Sequence, residues 1–237
     1  MAGRLYIVPT PVGNLDDMTP RAIAVLKDVS LILAEDTRTS APLLKHFGIA
    51  TPLASHHKFN EHATAESVIR RIAAGQDVAL ISDAGTPGIS DPGFLLSREC
   101  RKHDLPVETL PGATAFVPAL VDSGLPCERF TFQGFLPVKK GRRTRMEEIA
   151  LSPITSIIYE SPLRLVRTLS ELAEVCGADR EASVSREISK KFEETRRDTL
   201  GQLKEFYAEN PPKGEIVIIV APKPEREKKE HKNKYKQ

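Results

Sequence analysis

Val78-Ala79-Leu80-Ile81-Ser82-Asp83-Ala84-Gly85-Thr86-Pro87-Gly88-Ile89-Ser90-Asp91-Pro92-Gly93 sets four consecutive apolar residues directly before a stretch with three glycines, two prolines and two aspartates. An apolar run of that length bounded by turn residues reads as a strand buried on both faces, as in a parallel sheet covered by helices. The loop beyond it combines backbone freedom at Gly85 and Gly88 with restriction at the prolines. That mixture is unusual for a plain connection and suits a chain that approaches a ligand closely. Asp83, at the strand end, can accept hydrogen bonds from a ribose hydroxyl or an amino group. A purely structural turn is the alternative.

Outward from this strand, short β-rich runs alternate with helical stretches, which predicts an α/β fold with largely parallel sheets. Strands are expected at 5–8, 30–34, 77–81 and 106–110. Helices are expected at 20–28, capped by Thr19 with Pro20 in its first turn, and at 65–74, 92–103 and 114–123. Gly124-Leu125-Pro126 marks a domain boundary. A second set follows, with strands at 130–135, 155–159, 181–186 and 215–220 and helices at 144–150, 162–175 and 200–208. The division is therefore an N-terminal α/β domain at 1–124, a C-terminal α/β domain at 125–222, and a charged tail at 223–237 expected to be disordered.

The 237 residues are 40% hydrophobic and 28% charged, an ordinary globular balance. The net charge of +2 conceals an asymmetry. The tail holds seven basic and three acidic residues, which leaves the body near −2. Any nucleic-acid contact must then come from local patches. The three cysteines form no paired motif, so neither a disulfide framework nor a zinc site is expected. No apolar stretch is long enough to cross a bilayer and the N-terminus has no secretory pattern, so a cytoplasmic protein without a membrane partner is expected.

Three more strand-to-loop transitions occupy equivalent places, where open α/β sheets bind ligands. Val8-Pro9-Thr10-Pro11-Val12-Gly13-Asn14-Leu15 is stiffened by proline and freed at Gly13, but it has neither a G-x-G-x-x-G pattern nor a P-loop lysine. Ala34-Glu35-Asp36-Thr37-Arg38-Thr39-Ser40 reads as a catalytic rim or as a helix cap with Arg38 as ion-pair partner. Leu110-Pro111-Gly112-Ala113-Thr114-Ala115 enters a helix for which Thr114 is the natural cap. Ser55-His56-His57-Lys58-Phe59-Asn60-Glu61-His62 carries no metal-binding spacing and reads as a polar substrate loop or surface helix. Lys139-Lys140-Gly141-Arg142-Arg143-Thr144-Arg145 is either solvated surface or a phosphate-contacting patch, kept out of a regular helix by its glycine.

Taken together and in order, VPTPVGNLDD, AEDTRTS, SHHKFNEH, ISDAGTPGISDPG, LPGATA, FQGFLPVKKGRR, IIYESPLR and SREISKKFEE resemble the tetrapyrrole methylase superfamily, and within it the branch acting on small-subunit ribosomal RNA. The resemblance covers all but the tail. It implies two α/β domains of the tetrapyrrole methylase type with S-adenosylmethionine in the interdomain cleft, a homodimer, and 2′-O-methylation of cytidine 1402 of 16S rRNA in the small ribosomal subunit. Donor contacts implied in this way fall on Pro11, Gly13, Asp83, Thr86, Gly88, Thr114 and Ala115, then on Ile158, Tyr159, Arg186, Glu215 and Ile216. One departure stands out: the tetrapyrrole-modifying members carry Gly-Asp-Pro where this chain has Ser82-Asp83-Ala84.

Such a reaction needs a base within reach of the ribose hydroxyl. Glu35, Asp36, His56 and Glu187 are the candidates, and the residues leave them unranked. Arg38, Lys139, Lys140, Arg142, Arg143, Arg164 and Lys190 are the candidate RNA contacts. No metal is called for. The competing readings are a small-molecule methylase of the tetrapyrrole type and a non-catalytic RNA-binding module.

Overall fold

The computed structural model describes residues 2–57, 60–91 and 93–224. Lys58, Phe59, Pro92 and the chain from residue 225 lie outside that range, and with the last of these the expectation of a disordered tail.

The first sheet is built from β1 (Leu5–Ile7), β2 (Leu31–Ala34), β3 (Leu53–Ser55), β4 (Val78–Ile81) and β5 (Val107–Thr109). Their order is β3-β2-β4-β1-β5 and every pairing is parallel. α1 (Pro20–Asp28) and α2 (Thr37–His46) cover one face, where Leu26, Leu44, Ile32 and Ile81 share a core. α3 (Glu61–Ala73) and α4 (Phe94–Lys102) cover the other, packing Ile72 and Leu96 against Leu5, Val78 and Leu80. Burial of β4 on both faces explains its unbroken apolar run, since a solvated face would have asked for alternation. Thr19 caps α1 by accepting from the Ala22 N–H, as its sequence position implies.

The chain then crosses to a second sheet of β6 (Phe130–Phe135), β7 (Thr155–Glu160), β8 (Glu181–Arg186), β9 (Glu194–Thr199) and β10 (Ile216–Val220), ordered β6-β7-β10-β8-β9. Here the expectation of a largely parallel sheet fails. Only β6 and β7 are parallel, and the other three pairings are antiparallel. The cause at β8 and β9 is a short return, too brief for the helical crossover that parallel neighbours require. α6 (Arg142–Leu151), α7 (Leu165–Cys176) and α8 (Leu200–Glu209) bury one face around Leu169, Leu203 and Ile218. The opposite face is covered by α5 (Phe116–Asp122), whose Ala119 and Leu120 pack with Ile157, Val217 and Ile219. The cores therefore divide one helix earlier than the boundary read at Gly124. α5 belongs by packing to the second sheet.

Candidate functional site

The four loops singled out in the first domain are tied to one another by backbone and side-chain hydrogen bonds. Thr10 and Gly85 exchange N–H···O bonds of 2.9 Å in both directions, which joins the loop after β1 to the loop after β4. The Thr10 hydroxyl adds a 3.0 Å bond to the Ser82 carbonyl. Thr86 donates to the Ala113 carbonyl at 3.0 Å, and its hydroxyl lies 2.8 Å from that of Thr114. The Asp36 N–H donates to Asp83 Oδ1 at 3.2 Å. Gly85 and Gly88 take φ of 80° and 85°, conformations that a side chain disfavours and this folding-back requires.

The second domain closes the other side. Tyr159 stands near the end of β7, Glu215-Ile216 at the start of β10, and Glu187-Ile188 in the return after β8. Gly13 of the first domain lies so close to this return that a Cβ there would stand 2.3 Å from Lys190 Cγ. The Ser189 hydroxyl donates to Asp17, and Gly134 in the irregular part of β6 lets Ser90 approach. Between the domains lies a cavity of about 600 Å³. It is lined from the first domain by Glu35, Asp83, Thr86, Asp91, Thr114 and Ala115, and from the second by Phe135, Tyr159, Glu187, Lys190, Glu215 and Ile216.

The cavity is acidic. Burial, reinforced by the charge of Asp83, raises the Glu35 carboxyl above its ordinary range. Asp91 is pushed up to about 7, first by burial and then by the charges of Glu35, Asp83 and Glu215. Burial pushes Tyr159 up to about 12, so it stays a neutral phenol at physiological pH. Lys190 is the cation within the lining, 2.9 Å from Glu187 and 3.3 Å from Glu215.

The four candidate bases separate by their surroundings. Glu35 lines the cavity. Asp36 does not: it caps α2, holds Arg38 at 2.7 Å, and that ion pair lowers it to about 2. It is thus a poor proton acceptor, and the cap reading describes its geometry. His56 is fully buried with Nδ1 2.7 Å from the Thr64 hydroxyl, and it lies outside the cavity lining. Its location removes it from the candidates. Glu187 lines the cavity but is held below the usual carboxylate range by Lys190.

Of the residues expected to hold a donor, Asp83, Thr86, Thr114, Ala115, Tyr159, Glu215 and Ile216 line the cavity. Pro11, Gly13 and Gly88 are not in the lining; Gly13 packs against Lys190, and Gly88 against Gly93 and Phe94. Ile158 does not reach it: its side chain is fully buried in the second core and its backbone pairs within the sheet. Arg186 turns toward Glu194, 2.7 Å away, and faces a separate groove beside Phe192 and Phe206. Thr114 is not the cap of α5, which starts two residues later, because its hydroxyl is engaged with Thr86.

The basic candidates also divide. Lys139 and Lys140 are exposed, as is Arg38. Arg143 is exposed and pairs with Glu147 at 2.8 Å. Arg142 is buried, bonded to Glu171 at 2.6 Å, to Thr168 at 2.7 Å and to the Pro137 carbonyl at 3.2 Å. It cannot meet a phosphate without leaving that network, so its place among RNA contacts is withdrawn. Gly141, with φ of 82°, starts α6 at Arg142 rather than keeping the cluster out of a helix. Arg164 is half-buried and bonded to Glu160 at 2.7 Å.

Asp91 and Phe135 are cavity residues that the sequence pattern did not single out. For Asp91 the signal was present, as the second acid of the same glycine- and proline-rich loop. Phe135 had none, because an aromatic residue ending a strand is ordinarily core.

A family profile described as Tetrapyrrole (Corrin/Porphyrin) Methylases matches residues 4–204. Ribosomal RNA small subunit methyltransferase I of Pseudomonas aeruginosa is 48% identical over 223 residues, 93% of this chain and 79% of that protein. The protein of the same name from Synechocystis is 46% identical over 220 residues, 92% of this chain and 79% of its own length. Among solved structures, a uroporphyrin-III C-methyltransferase from Thermus thermophilus complexed with S-adenyl homocysteine superposes with a TM-score of 0.63 at 20% identity, covering 92% of this chain and 97% of that one. A cobalt precorrin-4 methyltransferase gives 0.65 at 16%, covering 92% and 94%. Two sheets flanking an acidic cleft, matched along nearly the whole described chain, place this protein in the tetrapyrrole methylase family and, within it, in the family of ribosomal RNA small subunit methyltransferase I.

Proposed function

We propose that this chain transfers a methyl group from S-adenosylmethionine to the ribose 2′-hydroxyl of a cytidine, position 1402, in 16S rRNA of the small ribosomal subunit. The observation that carries the reading is the interdomain cavity, found in a chain nearly half identical to proteins bearing that family's name. The residues present suit the donor. The volume of about 600 Å³ accommodates a nucleoside-sized molecule. The carboxylates of Asp83 and Glu215 complement a ligand carrying a sulfonium and an ammonium. Thr86, Thr114, Ala115, Tyr159 and Ile216 complete its enclosure, with Pro11, Gly13 and Gly88 in adjoining stretches of the loops.

S-adenosylmethionine, when bound, supplies a methyl group already activated on sulfur. The chain has then to align the hydroxyl with that carbon, exclude water and accept a proton. The 2′-hydroxyl itself distinguishes RNA from DNA at such a site. Lys139 and Lys140 are exposed cations available to RNA phosphates, while Arg38, Arg143, Arg164 and Lys190 would have to exchange their carboxylate partners. The reading includes action in the cytoplasm and a homodimer. Sedimentation equilibrium at assay concentrations tests the latter, with a 26.2 kDa species as the contrary result.

The decisive experiment incubates the protein with methyl-labelled S-adenosylmethionine and small subunits lacking the modification, then digests the RNA to nucleosides. Label in 2′-O-methylcytidine is expected. Label in a base, or transfer only to a porphyrinoid, would overturn the reading.

A further inference from the structure

We propose that Asp91 is the group that takes the proton from the acceptor hydroxyl, an assignment resting on the methyltransferase reading above. It lies on the cavity wall, in the stretch of the β4–α4 loop that meets the second domain. Ser90, just before it, holds a φ of 67°, and its hydroxyl fits against Gly134 of β6, where a Cβ would come within 2.9 Å. The approach fixes this part of the loop across the domain junction. No hydrogen bond or ion pair engages the Asp91 carboxylate among the described residues, whereas most competitors are engaged or displaced. Asp83 accepts the Asp36 N–H, Asp36 is held by Arg38, Glu187 by Lys190, and His56 lies outside the cavity. Glu35 is the remaining rival, and the experiment below separates the two.

The charged and titratable groups around Asp91 come from four places: Glu35 after β2, Asp83 after β4, Tyr159 in β7 and Glu215 before β10. Lys190, the lysine in the wall, is neutralised by Glu187 and Glu215. The three carboxylates oppose ionisation of Asp91, and burial acts in the same direction, raising it to about 7. A carboxylate of that basicity is matched to accepting a proton near neutral pH. In the step itself, the ribose oxygen bonds to the methyl carbon and the carbon–sulfur bond breaks with its electron pair left on sulfur. The hydroxyl proton passes to Asp91 Oδ, and the products are the methyl ether and the neutral thioether.

Single-turnover transfer to unmodified small subunits, measured against pH, tests this, with donor affinity measured separately by calorimetry. The wild-type rate is expected to rise with pH and level off above about 7. Asp91→Asn should lower the plateau by roughly 10²–10⁴-fold and abolish the acid limb, with donor affinity changed by less than about threefold. Glu35→Gln should move the limb to lower pH without removing it, because one opposing charge is gone. The assignment is overturned if Asp91→Asn keeps the limb, if donor affinity falls in step with its rate, or if Glu35→Gln is the variant that loses the limb. No transfer by the wild type overturns the methyltransferase reading itself. Transfer by the wild type alongside an unaffected Asp91→Asn overturns only the residue.

Discussion

Asp83 and Asp91 show how two carboxylates eight positions apart in one loop acquire different properties. Asp83 receives a backbone N–H from the start of α2, so its carboxylate is already oriented at the cavity wall and suited to hold a ligand. Asp83→Ala should weaken S-adenosylmethionine binding by about 10–100-fold, the range expected for losing a charge-assisted hydrogen bond, with far-UV circular dichroism unaltered. Unchanged calorimetric affinity would remove it from the donor site. Asp91 has the opposite character, and its cost appears in stability. Its carboxyl is raised from 3.8 to about 7 in the folded chain, so between those values the native state holds a proton that the unfolded chain has released. Stability contributed by the neutral form is present at low pH and lost as pH rises through 7. Asp91→Asn should therefore raise the melting temperature at pH 8 relative to wild type and change it little at pH 4. Equal shifts at both pH values would contradict the linkage. A group that costs stability when ionised and sits on a ligand-sized cavity wall is the expected signature of a site selected for chemistry.

At the scale of elements, legibility followed burial. The fully buried strands β4 and β10 and the largely buried β7, together with α1 and α7, could be read because apolar runs, helical periodicity and a threonine cap agree there. Two strands and one α-helix escaped. β3 is a three-residue, half-buried edge strand, and β9 is Glu-Thr-Arg-Arg-Asp-Thr, a charged edge whose residues protect it from further pairing rather than fill a core. α2 carries Thr-Arg-Thr-Ser at its start and a proline inside, so only its Asp36 cap announced it. The site was legible as four loops because glycine, proline and carboxylate coincide at strand ends. Its second wall was not legible from local pattern, and Tyr159, Glu215 and Ile216 were named only through the family resemblance, because these residues and Glu187 become neighbours only through tertiary packing. Arg142 is the clearest case of a misleading local signal. Among five cations in seven positions it looks solvated, yet it joins α6, α7 and the loop after β6 through Glu171, Thr168 and Pro137, 4.0 Å from the buried carboxylate of Glu160. Arg142→Ala should leave Glu160 and Glu171 without that cation and cost roughly 3–5 kcal/mol in denaturant unfolding. A loss below about 1 kcal/mol, comparable to an exposed pair, would mean that the network is not maintained in solution.

Over the whole molecule, charge is arranged against its average. The two domains meet through Gly13 against Lys190, Asp17 against Ser189 and Ser90 against Gly134, and the cleft they enclose is acidic. An acidic interior suits a cationic donor and repels phosphate, so the RNA backbone has to be held at the rim while the reacting nucleotide enters. The candidate RNA contacts differ in availability. Lys190 and Arg164 are committed to carboxylates, and Arg143 pairs with Glu147, whereas Lys139 and Lys140 are exposed and form no salt bridge among the described residues. These two lysines follow β6, the strand that places Phe135 on the cavity wall, so the same segment borders the site and presents free positive charge. Binding of small subunits by the Lys139→Ala/Lys140→Ala double variant should depend less steeply on salt. The slope of log K against log salt should fall by about 0.7 for each phosphate that a lysine no longer neutralises, up to about 1.4 for the pair. Because neither lysine borders the cavity, affinity for S-adenosylmethionine alone should be unaltered. A salt slope equal to wild type would return this segment to ordinary solvated surface and move the RNA track to Arg38 on the opposite domain.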